Sequence, residues 1–309
     1  MNNKKAGLFS RNSILIALGV SVVYLLISFL LIGFRTDQLV LIAIFNACFF
    51  LSGVARKFII GFSIFIVYWI LFDYMKAFPN YTFNTVHIQD LYDTEKALFG
   101  INYHGTRITL NEYWLQNGRT WLDILTGIFY LCWIPVPLAF AAYLFFKDKE
   151  MFLQFSLTFV LVNMIGFIIY YVYPAAPPWY YQLKGGVFIP GTLGNTAGLH
   201  KFDDYFNVKI FSALYAKSSN VFGAMPSLHS SYPLIVVYFG VKRKAGWMNG
   251  LFVVVMLGIW FAAIYSSHHY LLDVLAGIIC GVSGIFVFQK VLLRNAGFRR
   301  FLDFYKRSI

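Results

Sequence analysis

Apolar residues fill most of the chain in long runs, and short polar stretches separate these runs. A transmembrane helix needs about 20 consecutive, mainly apolar residues. Eight runs approach this length, and they lie near residues 13–33, 38–54, 58–75, 121–146, 151–173, 227–241, 247–266 and 270–292. The pattern therefore predicts an all-α polytopic membrane protein with about eight transmembrane helices.

Basic residues cluster at alternate ends of these runs. The clusters are Lys4, Lys5 and Arg11; Arg56 and Lys57; Lys147 and Lys149; Lys242, Arg243 and Lys244; and Arg294, Arg299, Arg300, Lys306 and Arg307. Loops rich in Lys and Arg stay on the cytoplasmic side of a membrane. We therefore expect both termini to be cytoplasmic and the loops 77–119 and 174–226 to be extracytoplasmic.

The net charge adds little to this interpretation. The 309 residues carry a formal charge of +12, yet 59% of them are hydrophobic and only 12% are charged. Because the positive charges flank apolar runs, they fit a membrane topology and argue against a nucleic-acid partner. The compact loops and short tails favour a bacterial cytoplasmic membrane over a Golgi membrane.

The two long loops contain their own signals. Apolar and polar residues follow a helical spacing over residues 90–99, which predicts a short interfacial helix lying on the membrane. Prolines at positions 174, 177 and 178 stop the preceding helix. Trp179 and the tyrosines that follow it suit the level of the lipid headgroups.

Two polar islands, residues 222–230 and 265–273, each open an apolar run. His269 and Asp273 are four residues apart and share one face of a helix that starts there. An ionisable residue within an apolar run is costly in lipid, so Asp273 indicates a functional site. His229 begins another run, and the predicted topology places all three residues at the extracytoplasmic face.

These residue types allow phosphoryl-group transfer. A neutral histidine can attack phosphorus and split one difficult transfer into two easier steps. A carboxylate such as Asp273 holds the ring of His269 and stabilises the cation that develops. His229 can serve as acid and then as base, while Ser227 and nearby backbone N–H groups can bind phosphate oxygens.

Simpler interpretations stay open at this point. His269 and Asp273 also fit a structural pair in a helical bundle, and His229 and Ser227 also fit a helix start. Because Leu272 lies four residues after His268, we predict His268 to be a rim residue rather than the nucleophile.

Two further alternatives stay open. Asp123 fits either a substrate role or a charge that is favoured at a helix start. His229, His269 and Asp273 also fit a proton relay in a transporter or channel. A histidine–aspartate pair with one distant histidine supplies at most three metal ligands, so we expect no metal and no other cofactor.

The motifs resemble those of the PAP2 superfamily of lipid phosphatases and phosphotransferases. The resemblance is closest to one branch, the fungal-type inositol phosphorylceramide synthases. Four stretches carry it, namely residues 122–125, 173–180, 221–230 and 268–273. A fifth stretch, residues 198–203, is similar to a Gly-Leu-x-Arg-x-Asp element in which Lys201 replaces the arginine. The resemblance covers roughly residues 60–292.

The resemblance implies a six-helix PAP2-like core at residues 58–293. Residues 1–57 would then form a cytoplasmic tail and two accessory helices, and residues 294–309 a basic cytoplasmic tail. By position, His269 would be the nucleophile, Asp273 its partner and His229 the acid and base. The candidate substrate-binding residues are Asp123, Trp179, Lys201 and Ser227.

The chain departs from the phosphatase branch at two cationic motifs. Ala263 stands where that branch has an arginine, and a Lys-x6-Arg-Pro motif does not occur in the sequence. Fewer cations suit a phosphodiester with a single negative charge. The resemblance therefore implies an inositol phosphorylceramide synthase that uses phosphatidylinositol and ceramide in the bilayer. A lipid phosphate phosphatase, or a synthase for phosphocholine or phosphoethanolamine, is the alternative. A partner subunit is not implied.

Overall fold

The structure is a computed structural model that describes residues 8–217 and 220–309. Its described part is helical apart from one two-stranded hairpin. Six helical segments are long and apolar enough to cross a membrane: Arg11–Ile32, Gly53–Ala77, Thr120–Lys147, Lys149–Val172, Met248–Tyr265 and Leu271–Arg294. The prediction of an all-α, multi-pass membrane protein is confirmed.

Two 16-residue helices complete the predicted set of eight. Thr36–Leu51 is apolar but shorter than the about 20 residues that a span needs. Leu228–Arg243 has the same length. All eight helical segments lie at the predicted positions, although Gly53–Tyr74 starts five residues before the predicted residue 58 because Ser52 caps it there.

In chain order the α-helices are α1 (Arg11–Ile32), α2 (Thr36–Leu51), α3 (Gly53–Tyr74), α4 (Gln89–Phe99), α5 (Leu110–Gln116), α6 (Thr120–Leu131), α7 (Pro135–Lys147), α8 (Lys149–Val172), α9 (Pro178–Lys184), α10 (His200–Phe206), α11 (Ile210–Tyr215), α12 (Leu228–Arg243), α13 (Met248–Tyr265), α14 (Leu271–Phe286) and α15 (Ala296–Ser308). The strands are β1 (Ile101–Tyr103) and β2 (Thr106–Ile108).

The predicted span 121–146 consists of α6 and α7, because Pro135 lacks the N–H that a continuous helix requires and begins a new helix instead.

The predicted short helix at residues 90–99 is present as α4. Its buried residues are Leu91, Tyr92 and Glu95, and this face packs on α9 and α14. One face of α4 therefore packs against the rest of the protein. Its position on a membrane surface stays a prediction.

Backbone hydrogen bonds join three loops that are far apart in sequence. The N–H of His87 donates to the carbonyl of Pro174 over 2.8 Å, and the N–H of Ala175 donates to the carbonyl of Phe222 over 2.8 Å. Parallel bridges connect His87 to Ala175 and Ala175 to Gly223. These bonds place the proline-rich stretch beside the start of α12.

Helix α12 is the centre of the bundle and packs mainly against α13, α14 and α8. Its buried side chains include Tyr232, Ile235 and Phe239. The predicted basic tail forms the amphipathic helix α15, in which the Tyr305 hydroxyl donates to the carbonyl of Ile60 over 2.8 Å. The domain boundaries at residues 57 and 293 stay predictions.

Candidate active site

Two histidine rings face each other where α12 and α14 begin. The Nδ1 atom of His229 lies 3.1 Å from the Nε2 atom of His269. His229 belongs to the first turn of α12, and His269 lies two residues before α14. The loop bonds described above bring these helix starts together, so two polar islands that are 40 residues apart share one site.

Asp273 lies behind His269, as their spacing of four residues predicts. Its Oδ2 atom is 3.5 Å from the Nδ1 atom of His269, and the carboxylate is fully buried. The same oxygen accepts the backbone N–H of Tyr270 over 2.8 Å. A carboxylate at this place favours a proton on Nδ1 of His269, which leaves the lone pair of Nε2 on the side of His229.

Burial keeps His269 neutral. Only 5% of its surface is exposed, and burial lowers its pKa to about 4 although a hydrogen bond to the Ala224 backbone opposes this change. A histidine must be neutral to act as a nucleophile. The surroundings therefore favour, at neutral pH, the form of His269 that can act as a nucleophile.

The prediction that His268 is a rim residue is wrong. Its ring is 5% exposed, stacks on Tyr215 at 4.4 Å between centroids and has its Nε2 atom 2.9 Å from the carbonyl oxygen of Thr196. Burial lowers the pKa of His268 to about 3. The ring is buried because the loop that contains Thr196 folds over it, a tertiary contact that spacing along the chain does not reveal.

Glu95 of α4 contacts the start of α14, a role that the sequence pattern did not predict. Its two carboxylate oxygens accept the backbone N–H groups of Leu271 and Leu272 over 3.1 and 3.0 Å. The first N–H groups of a helix lack partners within the helix and favour a negative charge. The side chain is fully buried, and burial raises its pKa. The available signal was an acidic residue beside Leu91 and Tyr92 on the apolar face of α4.

Asn111 holds the other side of the same turn. Its Nδ2 atom donates to the carbonyl of His269 over 2.9 Å and to the carbonyl of Ile264 over 2.8 Å. The residue is fully buried. Glu95 and Asn111 thus fix the backbone on both sides of His269, and both belong to the loop 77–119.

Two of the predicted substrate-binding residues pair with each other. The Nζ atom of Lys201 lies 3.5 Å from Oδ1 of Asp123, and the Tyr265 hydroxyl donates to that same oxygen over 2.7 Å. In the described part of the chain, neither Asp123 nor Lys201 lines the cavity beside the histidines. Their role in substrate binding stays a prediction.

The other two candidates lie close to the histidines. The N–H of Ser227 donates to the carbonyl of Asp273 over 2.9 Å, and its hydroxyl accepts from Ser230 over 3.1 Å in a fully buried position. Trp179 lines the cavity, and its backbone N–H donates to the carbonyl of Ser267 over 3.0 Å. Ser227 therefore connects the two helix starts, while Trp179 is placed to meet a ligand.

A cavity of about 400 Å³ extends from the histidines toward α1, α2 and α3. Most of its wall is apolar or aromatic, and its inner end contains His229, His268 and His269. Over residues 8–217 and 220–309, three or more His, Cys, Asp or Glu side chains nowhere cluster as a metal site. The residues present support nucleophilic and acid–base chemistry on an amphipathic ligand.

Comparison with known proteins identifies the family of the chain. The sequence profile described as PAP2 superfamily matches residues 90–287. A phosphoinositol dihydroceramide synthase of Bacteroides thetaiotaomicron is 40% identical over 302 residues, which is 97% of this chain and 99% of that protein. Solved structures yield no significant match.

Two fungal proteins are more distant relatives. An inositol phosphorylceramide synthase of Candida albicans is 27% identical over 82% of this chain, and the catalytic subunit of the Saccharomyces cerevisiae enzyme is 28% identical over 69%. The matches span about half the length of each fungal protein, 52% in both cases. With the profile and the full-length bacterial relative, they establish that the chain belongs to the PAP2 superfamily, on the branch that contains these synthases.

Proposed function

We propose that the chain transfers phosphoinositol from phosphatidylinositol to the primary hydroxyl of ceramide or dihydroceramide and releases diacylglycerol. The observation that carries this proposal is the contact between His229 Nδ1 and His269 Nε2 at the inner end of an apolar cavity. The relatives named above support phosphoinositol as the group and ceramide-type lipids as acceptors. The reaction uses no metal.

In the first half-reaction, Nε2 of His269 attacks the phosphorus of phosphatidylinositol. An N–P bond forms, and the P–O bond to diacylglycerol breaks. His229 enters this step as the imidazolium, gives one proton to the departing glycerol oxygen and becomes neutral, while Asp273 stabilises the positive charge on His269. The product is a phosphoinositol group bound to His269.

In the second half-reaction, the primary hydroxyl of the acceptor loses its proton to His229. The resulting oxygen attacks phosphorus, and the N–P bond breaks. His269 returns to its neutral form, and His229 regains the proton that it donated. One site therefore serves both lipids in turn, as a double-displacement mechanism requires.

The surroundings of Ala263 support transfer between lipids over hydrolysis of a phosphomonoester. Ala263 is fully buried, and its carbonyl accepts the N–H groups of His268 and His269. The position that would hold an arginine in the phosphatase branch thus has an apolar side chain. A phosphodiester carries one negative charge and needs fewer cations than a phosphomonoester.

We also propose that the site faces the extracytoplasmic side. Helix α12 carries His229 in its first turn and Lys242 and Arg243 in its last turn. Helix α14 carries Asp273 in its first turn, and Lys290 and Arg294 follow its other end. Because basic residues mark the cytoplasmic side, the histidines lie at the opposite side.

A transfer assay in detergent micelles with EDTA tests the proposal. A fluorescent ceramide is combined with phosphatidylinositol, phosphatidylcholine or phosphatidylethanolamine, one donor at a time. We expect a charged fluorescent product with phosphatidylinositol only, and the same rate with and without EDTA. Release of free phosphate from a phosphomonoester lipid, without a lipid product, would instead support the phosphatase.

The covalent intermediate has its own test. Phosphatidylinositol labelled in the inositol ring is added to the enzyme in micelles without ceramide. We expect a burst of diacylglycerol close to one per active site and label bound to the protein. Neither should occur with His269→Ala, and a normal burst in that variant would refute the mechanism.

A further inference from the structure

The cavity beside the histidines has a wall formed by α1 and α2, which precede residue 90, where the PAP2 profile begins. Tyr24 of α1 and Leu41 and Ile44 of α2 line it together with Tyr68 and Phe72 of α3. The cavity is therefore not complete within the predicted six-helix core. The N-terminal helices complete its wall.

Polarity changes along this wall. Asp37, at the start of α2, lies at the end of the cavity that also contains Asp73 and Lys76. Leu41 and Ile44 follow about one and two turns later, and a rise of 1.5 Å per residue puts Ile44 about 10 Å from Asp37 along the axis. A charged rim above an apolar section matches the polar and hydrocarbon parts of a lipid.

Hydrogen bonds and ion pairs attach the N-terminal helices to α3. The hydroxyls of Ser28 and Tyr74 lie 2.8 Å apart, and Arg35 Nη1 lies 3.9 Å from Asp73 Oδ1. Gln38 is 3% exposed and donates to the carbonyl of Gly33 over 2.9 Å, which fixes the turn between α1 and α2. The wall is thus held in a defined position.

We propose that α1, α2 and α3 form a subsite for one hydrocarbon chain of a lipid substrate. The chain lies against Leu41, Ile44 and Phe72, and the polar part of that lipid extends from the charged rim to the histidines. The N-terminal helices then select the substrate by its chain as well as completing the fold. This inference rests on the proposed function for the identity of the lipids.

Two variants of α2 with the same change provide the test. Leu41→Trp fills the cavity, whereas Leu39→Trp changes a residue that is 44% exposed and is absent from the cavity wall in the described part of the chain. Transfer is measured with ceramides of short and long acyl chain, and separately with phosphatidylinositols of short and long chains. Leu41→Trp should lower the ratio of kcat/KM for long over short chains by about tenfold or more, because several methylene contacts are lost.

The ceramide series and the phosphatidylinositol series together show which of the two lipids occupies the subsite. A change confined to the ceramide series assigns the subsite to the acceptor, and a change confined to the phosphatidylinositol series assigns it to the donor. Leu39→Trp should leave both ratios unchanged. Unchanged ratios in Leu41→Trp, with normal transfer by the parent protein, would overturn the inference and leave the proposed function intact.

Crosslinking tests the subsite without using activity. Ceramide and phosphatidylinositol that carry a photoactivatable group in the acyl chain are each irradiated with the purified protein. We expect adducts on α2 or on the facing residues 68–72, and fewer of them in Leu41→Trp but not in Leu39→Trp. Adducts of equal amount in both variants would overturn the inference even if the parent protein transfers a different headgroup.

Discussion

Gly277 of α14 lies against the backbone of Ser227, with room for a hydrogen atom only. A Cβ atom at Gly277 would be 2.1 Å from the carbonyl oxygen of Ser227. Close to this contact, the Ser231 hydroxyl donates to the carbonyl of Gly277 over 2.6 Å. Small residues let two helices approach in a membrane, and here α14 approaches the chain two residues before His229.

Gly277→Ala should therefore reduce transfer activity, because α14 must move away from Ser227 to make room for the methyl group. We expect kcat to fall by on the order of tenfold to a hundredfold, as misplacement of about 1 Å can cost that much. Gly250→Ala is the matched control, since a Cβ there meets no described atom within 4 Å. The control should keep full activity. Equal activity of the two variants would contradict the role of this contact.

The sequence was sufficient to predict the helices and the proximity of His269 and Asp273 for physical reasons. Apolar runs specify spans, and a separation of four residues places His269 and Asp273 on one side of a helix start. Glu95 and Asn111 escaped prediction because their partners are backbone groups more than 150 residues away. His268 was predicted to be a rim residue because its burial also depends on a distant segment, the loop that contains Thr196.

Glu95→Gln should lower kcat with little effect on KM, because Glu95 acts on the start of α14 rather than on the lipids. The amide keeps one acceptor for Leu271 and Leu272 but loses the charge that the helix N-terminus favours. A loss of about tenfold in kcat is expected. Asp93→Asn on the exposed side of α4 is the control and should leave kcat unchanged. A rise in KM alone would argue against this role.

The pH profile should reflect the lowered pKa of His269. Its pKa is about 4 in the folded protein and about 6.5 when unperturbed. Because the neutral ring of His269 is required, protonation of His269 should lower kcat/KM only below about pH 5.5. The unfolded chain binds this proton at higher pH than the folded chain does. The free energy of unfolding therefore also decreases as the pH falls from about 6.5 to about 4. An acidic limb centred near pH 6.5 would contradict a buried, neutral His269.

Lys201→Gln distinguishes a substrate-binding residue from a structural one. Lys201 pairs with Asp123 at 3.5 Å and is 33% exposed, a geometry in which an ion pair contributes about 0–1 kcal/mol. If the contact with Asp123 is its main role, KM for phosphatidylinositol should change less than twofold while Tm falls slightly. A rise of tenfold or more in KM at unchanged Tm would show that Lys201 binds the headgroup, as its position in the sequence motif implies.

Asp273→Asn should lower the activity without lowering the stability of the fold. The Oδ1 atom of Asp273 is buried and has no hydrogen-bond partner among the described residues, so the carboxylate is costly to bury. An amide whose oxygen takes the place of Oδ2 keeps the acceptor for the N–H of Tyr270 but loses the negative charge that stabilises a cation on His269. We expect kcat to fall by about 10²–10⁴-fold, as when a triad aspartate is replaced by asparagine. Tm should stay equal or rise, because a buried charge is removed. A parallel loss of Tm and activity would show instead that Asp273 mainly holds the fold, and normal activity would exclude it from the reaction.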